Sequence, residues 1–190
     1  CEGDDMGGNF ILASASPRRR DLLTQLGLDF VVETNNCDES IEGDLDFGAR
    51  VETLAARKAL SVATGHSGGL VLGADTIVVV EGKILGKPKE EAQACEMLSE
   101  LSGRWHSVYT GIAIVEADGL KKTTDFEESH VKFKTLTPSG EPMDKAGAYG
   151  IQGKGSILVE KIQGCYYNIV GLPLFKLNAM LLEYGIKILG

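Results

Sequence analysis

The chain has 190 residues, 43% of them hydrophobic, with 27 acidic against 19 basic side chains and a formal net charge of −8. That size suits one domain with a real core, or two closely joined lobes, and argues against a second independent domain. The acidic balance argues against coating DNA or RNA through a broad basic surface, so the clusters Arg18-Arg19-Arg20, Arg57-Lys58 and Lys83/Lys87/Lys89 read either as solvated charge or as contacts for a small anion.

Residues 1–9 are polar and Gly-rich, without the basic start and apolar core of a secretory signal, and read as a disordered tail before one domain over 10–190. No apolar run approaches the ~20 residues of a membrane span. Cys1, Cys37, Cys95 and Cys165 are scattered, with no C-x-x-C pair and no His at zinc-ligand spacing. They read as free thiols in a reducing compartment, and the cytoplasm is the expected setting.

Phe10 to Ala13 reads as a short buried strand. Ser16 can cap the helix that follows, Pro17 fits its first position, Leu22, Leu23 and Leu26 give it an apolar face, and Gly27 ends it. The turn between them, Ala13 to Arg20, sets hydroxyls and guanidinium groups around a helix start, where unpaired N–H groups and the positive end of the dipole favour a polyanion. Asp29 to Glu33 reads as a second strand and Asn35 to Glu39 as a polar loop. Asp46 to Ala63 reads as a longer helix with Val51, Leu54, Ala55, Ala59 and Val62 inward.

Leu70 to Val80 is the strongest strand signal, apolar on both faces apart from Gly73-Ala74-Asp75-Thr76, and should be central. Asp75 there is either a buried carboxylate satisfied by N–H groups or a working one, because an ionisable group in such a run is costly unless paired or liganded. Gly73 permits close approach of a backbone or a ligand. Glu81-Gly82 turns the chain, Lys87-Pro88 stops it, and Glu90 to Ser102 forms a helix closed by Gly103. Trp105 to Glu116 and Leu120 to Lys134 are β runs joined through Asp118-Gly119, a hairpin signal. Ile157 to Ile162 adds a strand and Pro173 to Tyr184 a final helix. With βα units first and a hairpin in the middle, the expected fold is α/β: a mixed, twisted sheet flanked by helices. His66, His106 and His130 are isolated and read as surface or packing residues.

The segment Asp144 to Gly155 carries four glycines around Gln152, whose amide offers donors and an acceptor suited to a nucleobase edge. Alone it is as well explained by a structural turn. No P-loop and no G-x-G-x-x-G after a strand occurs, so kinase, GTPase and Rossmann readings lack their fingerprints.

Taken in order, Leu12-Ala13-Ser14-Ala15-Ser16-Pro17-Arg18-Arg19, Gly73-Ala74-Asp75-Thr76, Gly86-Lys87-Pro88, Leu101-Ser102-Gly103, Glu141 to Gly153 and Val170-Gly171-Leu172-Pro173 resemble the Maf family of nucleoside triphosphate pyrophosphatases, from about Phe10 to the C-terminus. The likeness is greatest to the branch acting on dTTP and UTP, through Gly-Ala-Asp-Thr and Ala-Tyr-Gly-Ile-Gln-Gly. The resemblance implies a Maf/ITPase-like two-lobed architecture with a central cleft, commonly a homodimer. It implies that Ser14, Arg18 and Arg19 hold the triphosphate, with Lys58 and Lys87 near the phosphates and Gln152 on the base. It further implies Asp75 as the catalytic carboxylate and Glu39 as a second acidic group, the two meeting a divalent metal, Mg²⁺ or Mn²⁺. The implied reaction is NTP plus water giving NMP and pyrophosphate, on dTTP, UTP and modified pyrimidine nucleotides. The chain departs from the family where only Pro138-Ser139-Gly140 stands in place of a further helix before Glu141. That departure opens an alternative: a catalytically weakened nucleotide-binding regulator of cell division.

Overall fold

A computed structural model describes residues 10–34, 36–41, 43–136 and 151–189. In chain order these form β1 (Phe10–Leu12), α1 (Pro17–Gln25), β2 (Val31–Val32), α2 (Phe47–Ala63), β3 (Leu70–Val80), β4 (Lys83–Leu85), α3 (Glu91–Leu101), β5 (Trp105–Glu116) and β6 (Lys122–Phe133). A 3-10 turn (Gly153–Leu158) then leads into β7 (Val159–Gln163), α4 (Tyr166–Val170) and α5 (Leu174–Glu183). The tail at residues 1–9, the shortened 137–140 stretch and most of the Gly-rich loop before Ile151 lie outside the described residues.

The strands make one mixed sheet in the order β2-β1-β3-β5-β6-β7, with β4 folded back on β3. β1 is parallel to both β2 and β3; every other pairing is antiparallel. β3 is central, as its apolar run implied, and pairs with β5 from Leu70↔Glu116 to Val79↔Ser107. Alternation along the strands sends Ile11, Ala13 and Val71 to a cluster with Ala55, Ala56, Ala59 and Val62 of α2. Leu12, Leu72 and Ala74 go to the opposite cluster, with Leu22 and Leu23 of α1, Leu98 of α3 and Leu177 and Leu181 of α5. The sheet is thus covered on both faces by helices. Among the described residues no helix is long and apolar enough to cross a membrane.

Several boundaries differ from the sequence reading. The second strand shrinks to Val31–Val32, both exposed at the sheet edge, because only β1 pairs with it. Ser16 occupies the cap position of α1 but its side chain makes no capping hydrogen bond, whereas Asp46 does cap α2, accepting from Ala49 N at 2.8 Å. The short β4 follows a turn in which Glu81 (φ 49°) and Gly82 (φ 78°) are both left-handed, the geometry of a two-residue hairpin. In the β5–β6 hairpin Leu120 takes φ 52° and donates to Glu116 O at 2.7 Å, so the strained residue lies beyond the Asp-Gly pair. The Ile157–Ile162 strand begins later, at Val159, after the 3-10 turn. Cys37, Cys95 and Cys165 are free thiols. His106 is a core residue, its ring edge-on to Phe133 at 5.0 Å, and burial pushes it down to about 4.

Candidate active site

β1 stops at Leu12, opposite Leu72, while β3 runs on to Val80. Residues 74–76 therefore border space that β1 has vacated, and the start of α1 fills that corner. Ser14 and Arg19 belong to this turn, and Asp75 and Thr76 are the β3 residues beside it.

Asp75 points to the α2 face, where Lys58 meets it: Lys58 Nζ donates to Asp75 Oδ1 at 2.6 Å. The same ammonium lies 2.9 Å from Glu39 Oε1, on the loop before α2. Asp75 and Lys58 are largely enclosed, with 14% and 19% of their side chains exposed, whereas Glu39 is 64% exposed. Burial alone would lower the Lys58 ammonium, but the hydrogen bonds and charges of Asp75 and then Glu39 outweigh it and raise it. Glu39 is held below the usual carboxylate range, first by its hydrogen bond to Lys58 and then by the Lys58 charge. The more distant Lys87 charge acts in the same direction, which puts that exposed lysine in electrostatic reach of the cluster.

This closeness is built by two glycines. A Cβ on Gly73 would run into the backbone of α2, at Ala55 O and, at 2.8 Å, Ala59 N. A Cβ on Gly111, the β5 residue paired with Asp75, would strike the backbone at Val51 and, at 2.6 Å, Glu52 N. Gly73 thus admits a backbone, one of the two possibilities its position suggested. With no side chain under it, α2 settles onto the sheet and brings Lys58 down to Asp75.

Arg19 lies on the other side of Asp75 and is engaged by the protein itself. Its Nε donates to Gly171 O at 2.8 Å, Nη1 to Ala74 O at 2.9 Å and Ser14 Oγ at 3.0 Å, and Nη2 to Thr76 Oγ1 at 2.9 Å. Four of its five N–H groups are thereby used. Burial pushes the guanidinium down to about 10, against the pull of Asp75, so it stays charged at neutral pH. Behind it the hydroxyls form a one-way chain. Thr110 Oγ1 donates to Asn168 O at 2.9 Å, so the Thr76–Thr110 bond at 2.8 Å takes its proton from Thr76. Ser14 Oγ accepts from both Arg19 and Ser16 N, the latter at 3.3 Å, which leaves its own proton free to donate.

Of the residues singled out from sequence, the structure gathers Ser14, Arg19, Lys58, Asp75 and Glu39 around one corner of the sheet. Arg18 is half-buried beside Arg19, where its charge is felt. Gln152 is exposed at the start of the 3-10 turn, and among the described residues no hydrogen bond joins it to the cluster. Sequence reasoning quoted Thr76 and Gly171 within motifs but gave them no role, and it passed over Thr110 and Asn168; polar residues inside apolar runs at 76, 110 and 168 carried the same signal as Asp75. It also left Arg57 as an undifferentiated charge.

The Maf-like protein family model matches residues 9–184. The chain is 50% identical over 188 residues to the dTTP/UTP pyrophosphatase of Moorella thermoacetica, covering 95% of this chain and 97% of that protein. It is 47% identical over 186 residues to the protein of the same name in Desulforamulus reducens, covering 94% and 97%. The corresponding figures for Acetivibrio thermocellus are 48% over 194 residues, 94% and 96%. Among solved structures, the Staphylococcus aureus Ham1 protein aligns with a TM-score of 0.49 at 16% identity, over 78% of each chain. On the family match and these identities, the chain belongs to the Maf family.

Proposed function

We propose that this chain is a nucleoside triphosphate pyrophosphatase that hydrolyses dTTP and UTP, and modified pyrimidine nucleotides, to the monophosphate and pyrophosphate. The observation that carries the reading is the single ammonium of Lys58 held between Asp75 and Glu39, beside the uncapped start of α1. The names of the relatives support the substrate class.

The reaction joins a water oxygen to the α-phosphorus and breaks its bond to the bridging oxygen of pyrophosphate. In this reading Asp75 receives the water's proton, since Lys58 engages only its Oδ1 and no hydrogen bond among the described residues engages the other oxygen. Lys58 has three donors, of which the two carboxylates use two, and the third meets phosphate charge as it develops. Ser14 donates its free proton to a phosphate oxygen, Arg18 and Lys87 add positive charge, and Arg19 keeps Ser14 in place. Gln152 reads the base edge.

Among the described residues no three His, Cys, Asp or Glu side chains cluster as a metal site. The donor set nonetheless fits Mg²⁺ or Mn²⁺ arriving with the nucleotide, because Mg²⁺ commonly takes one or two carboxylates and completes its shell with phosphate oxygens and water. Asp75 and Glu39 would hold that ion, which would neutralise charge on the phosphates. The family resemblance supports a homodimer.

Pyrophosphate release from dTTP, UTP, CTP and 7-methyl-GTP, with and without Mg²⁺ or Mn²⁺, tests the proposal. The expected result is release from dTTP and UTP ahead of the others; nucleotide binding without release from any would overturn it.

A further inference from the structure

Glu39 sits on residues 36–41, which form neither helix nor strand, and its side chain is mostly in solvent. An ion pair so exposed is worth at most about 1 kcal/mol, too little to hold a free loop against the sheet. Something else keeps Glu39 over Lys58. Asp38 folds the backbone around Glu39, its Oδ1 accepting from Ser40 N at 2.8 Å and its Oδ2 from Ser40 Oγ at 2.6 Å. From α2, Arg57 Nη1 donates to the carbonyl of Asp38 at 3.2 Å and to the carbonyl of Ser40. One guanidinium nitrogen thus grips the carbonyls of the two residues on either side of Glu39. Arg57 and Lys58 are consecutive, so their side chains leave the helix about 100° apart. One reaches out to the loop backbone while the other reaches in to Asp75.

We propose that Arg57 is a positioning residue for the reaction, fixing the Asp38–Ser40 turn so that Glu39 meets Lys58 and the substrate's phosphate-bound cation. Arg57 touches no reacting atom; it acts through Glu39. This rests on the reading of Glu39 as part of a hydrolytic site. The guanidinium matters because its plane fixes the directions of the two N–H groups of Nη1, one for each carbonyl, which a lysine ammonium at the end of a flexible stem does less well.

Two measurements test it. In the first, kcat and KM for UTP hydrolysis are compared among wild type, Arg57→Ala, Arg57→Lys, Glu39→Gln and the double variant Arg57→Ala/Glu39→Gln. Arg57→Ala is expected to lower kcat about tenfold without moving the melting temperature. Arg57→Lys should recover part of the loss, and the double variant should be no slower than Glu39→Gln alone. A wild-type rate in Arg57→Ala, or losses that multiply in the double variant, would overturn the proposal.

The second measurement does not depend on activity. Cys37 lies two residues from Glu39 and is half-buried, as is Cys165 at the start of α4. Alkylation by iodoacetamide, mapped by mass spectrometry, should speed up at least threefold at Cys37 and not at Cys165 when Arg57 is replaced by alanine. Unchanged Cys37 labelling would overturn the bracing role. If the wild-type protein released no pyrophosphate from any nucleotide, the functional reading would fail, while the labelling result would still decide whether Arg57 holds the loop.

Discussion

Lys58 Nζ stands 2.6 Å from Asp75 Oδ1 across an interface that Gly73 makes possible, two residues upstream of Asp75 on the same strand face. The pair is therefore a product of helix–sheet packing. A helix held one methyl group further out would leave an enclosed carboxylate without its counter-charge.

Gly73→Ala is expected to destabilise the protein by about 1–3 kcal/mol, the usual cost of forcing extra volume into a packed interface. Urea denaturation measures it. The rate of UTP hydrolysis should fall as well, because α2 carries Lys58. An unchanged midpoint and an unchanged rate would contradict the packing argument.

Asp75→Asn keeps the shape of the side chain and removes its ability to take a proton. Fold and nucleotide binding should survive while turnover falls about 10²–10⁴-fold, the range typical of losing a general base. Circular dichroism, calorimetric titration with UTP and a pyrophosphate assay on the same preparation separate these effects. Retained turnover would remove Asp75 from the chemistry.

The Lys58–Glu39 contact has a pH signature. Lys58 draws Glu39 below its ordinary value of 4.5, so near that pH the unfolded chain binds more protons than the folded one. The contribution to stability is present above 4.5 and is lost as pH falls through the folded value. Lys58 is raised above 10.5, so its own contribution holds below that pH and is lost only as pH rises through its folded value. Glu39→Gln should lower stability slightly at neutral pH and leave it unchanged below the folded value, so that the acid side of a stability–pH profile flattens; an identical acid slope would contradict the assignment.

Arg19→Lys exchanges a fork that satisfies Gly171, Ala74, Ser14 and Thr76 for a single ammonium with three donors. Leaving buried acceptors unmet costs about 1–3 kcal/mol. The melting temperature should drop, and KM for UTP should rise by roughly tenfold as Ser14 loses its orientation. Phosphate affinity lost with full stability retained would instead make Arg19 a direct ligand.

Much of this arrangement was legible in the residues because its signals are local. The apolar run of β3 with Asp75 in it, and the Pro17 and Gly27 that bracket α1, announce themselves within a few positions. The long-range terms do not. Gly111 opposes Asp75 only through the β3–β5 register, and the carbonyl of Gly171 reaches Arg19 from 152 positions away. Arg57 looked like any surface charge because its partners are backbone carbonyls, which have no sequence identity. β4 and α4 were missed for another reason: three and five residues are too few to display a period. Arg19 is the case where charge pattern alone points two ways. A guanidinium at a helix start suits a phosphate equally well as it suits four protein acceptors, and only the fold supplies the acceptors.

Hydrolysis of UTP in ¹⁸O-labelled water, with the products resolved by mass spectrometry, tests the site's chemistry most directly. Attack at the α-phosphorus places the label in UMP and leaves pyrophosphate unlabelled, and Asp75→Asn should suppress that product by the factor given above. Label in pyrophosphate, or release of orthophosphate in its place, would contradict the proposed reaction.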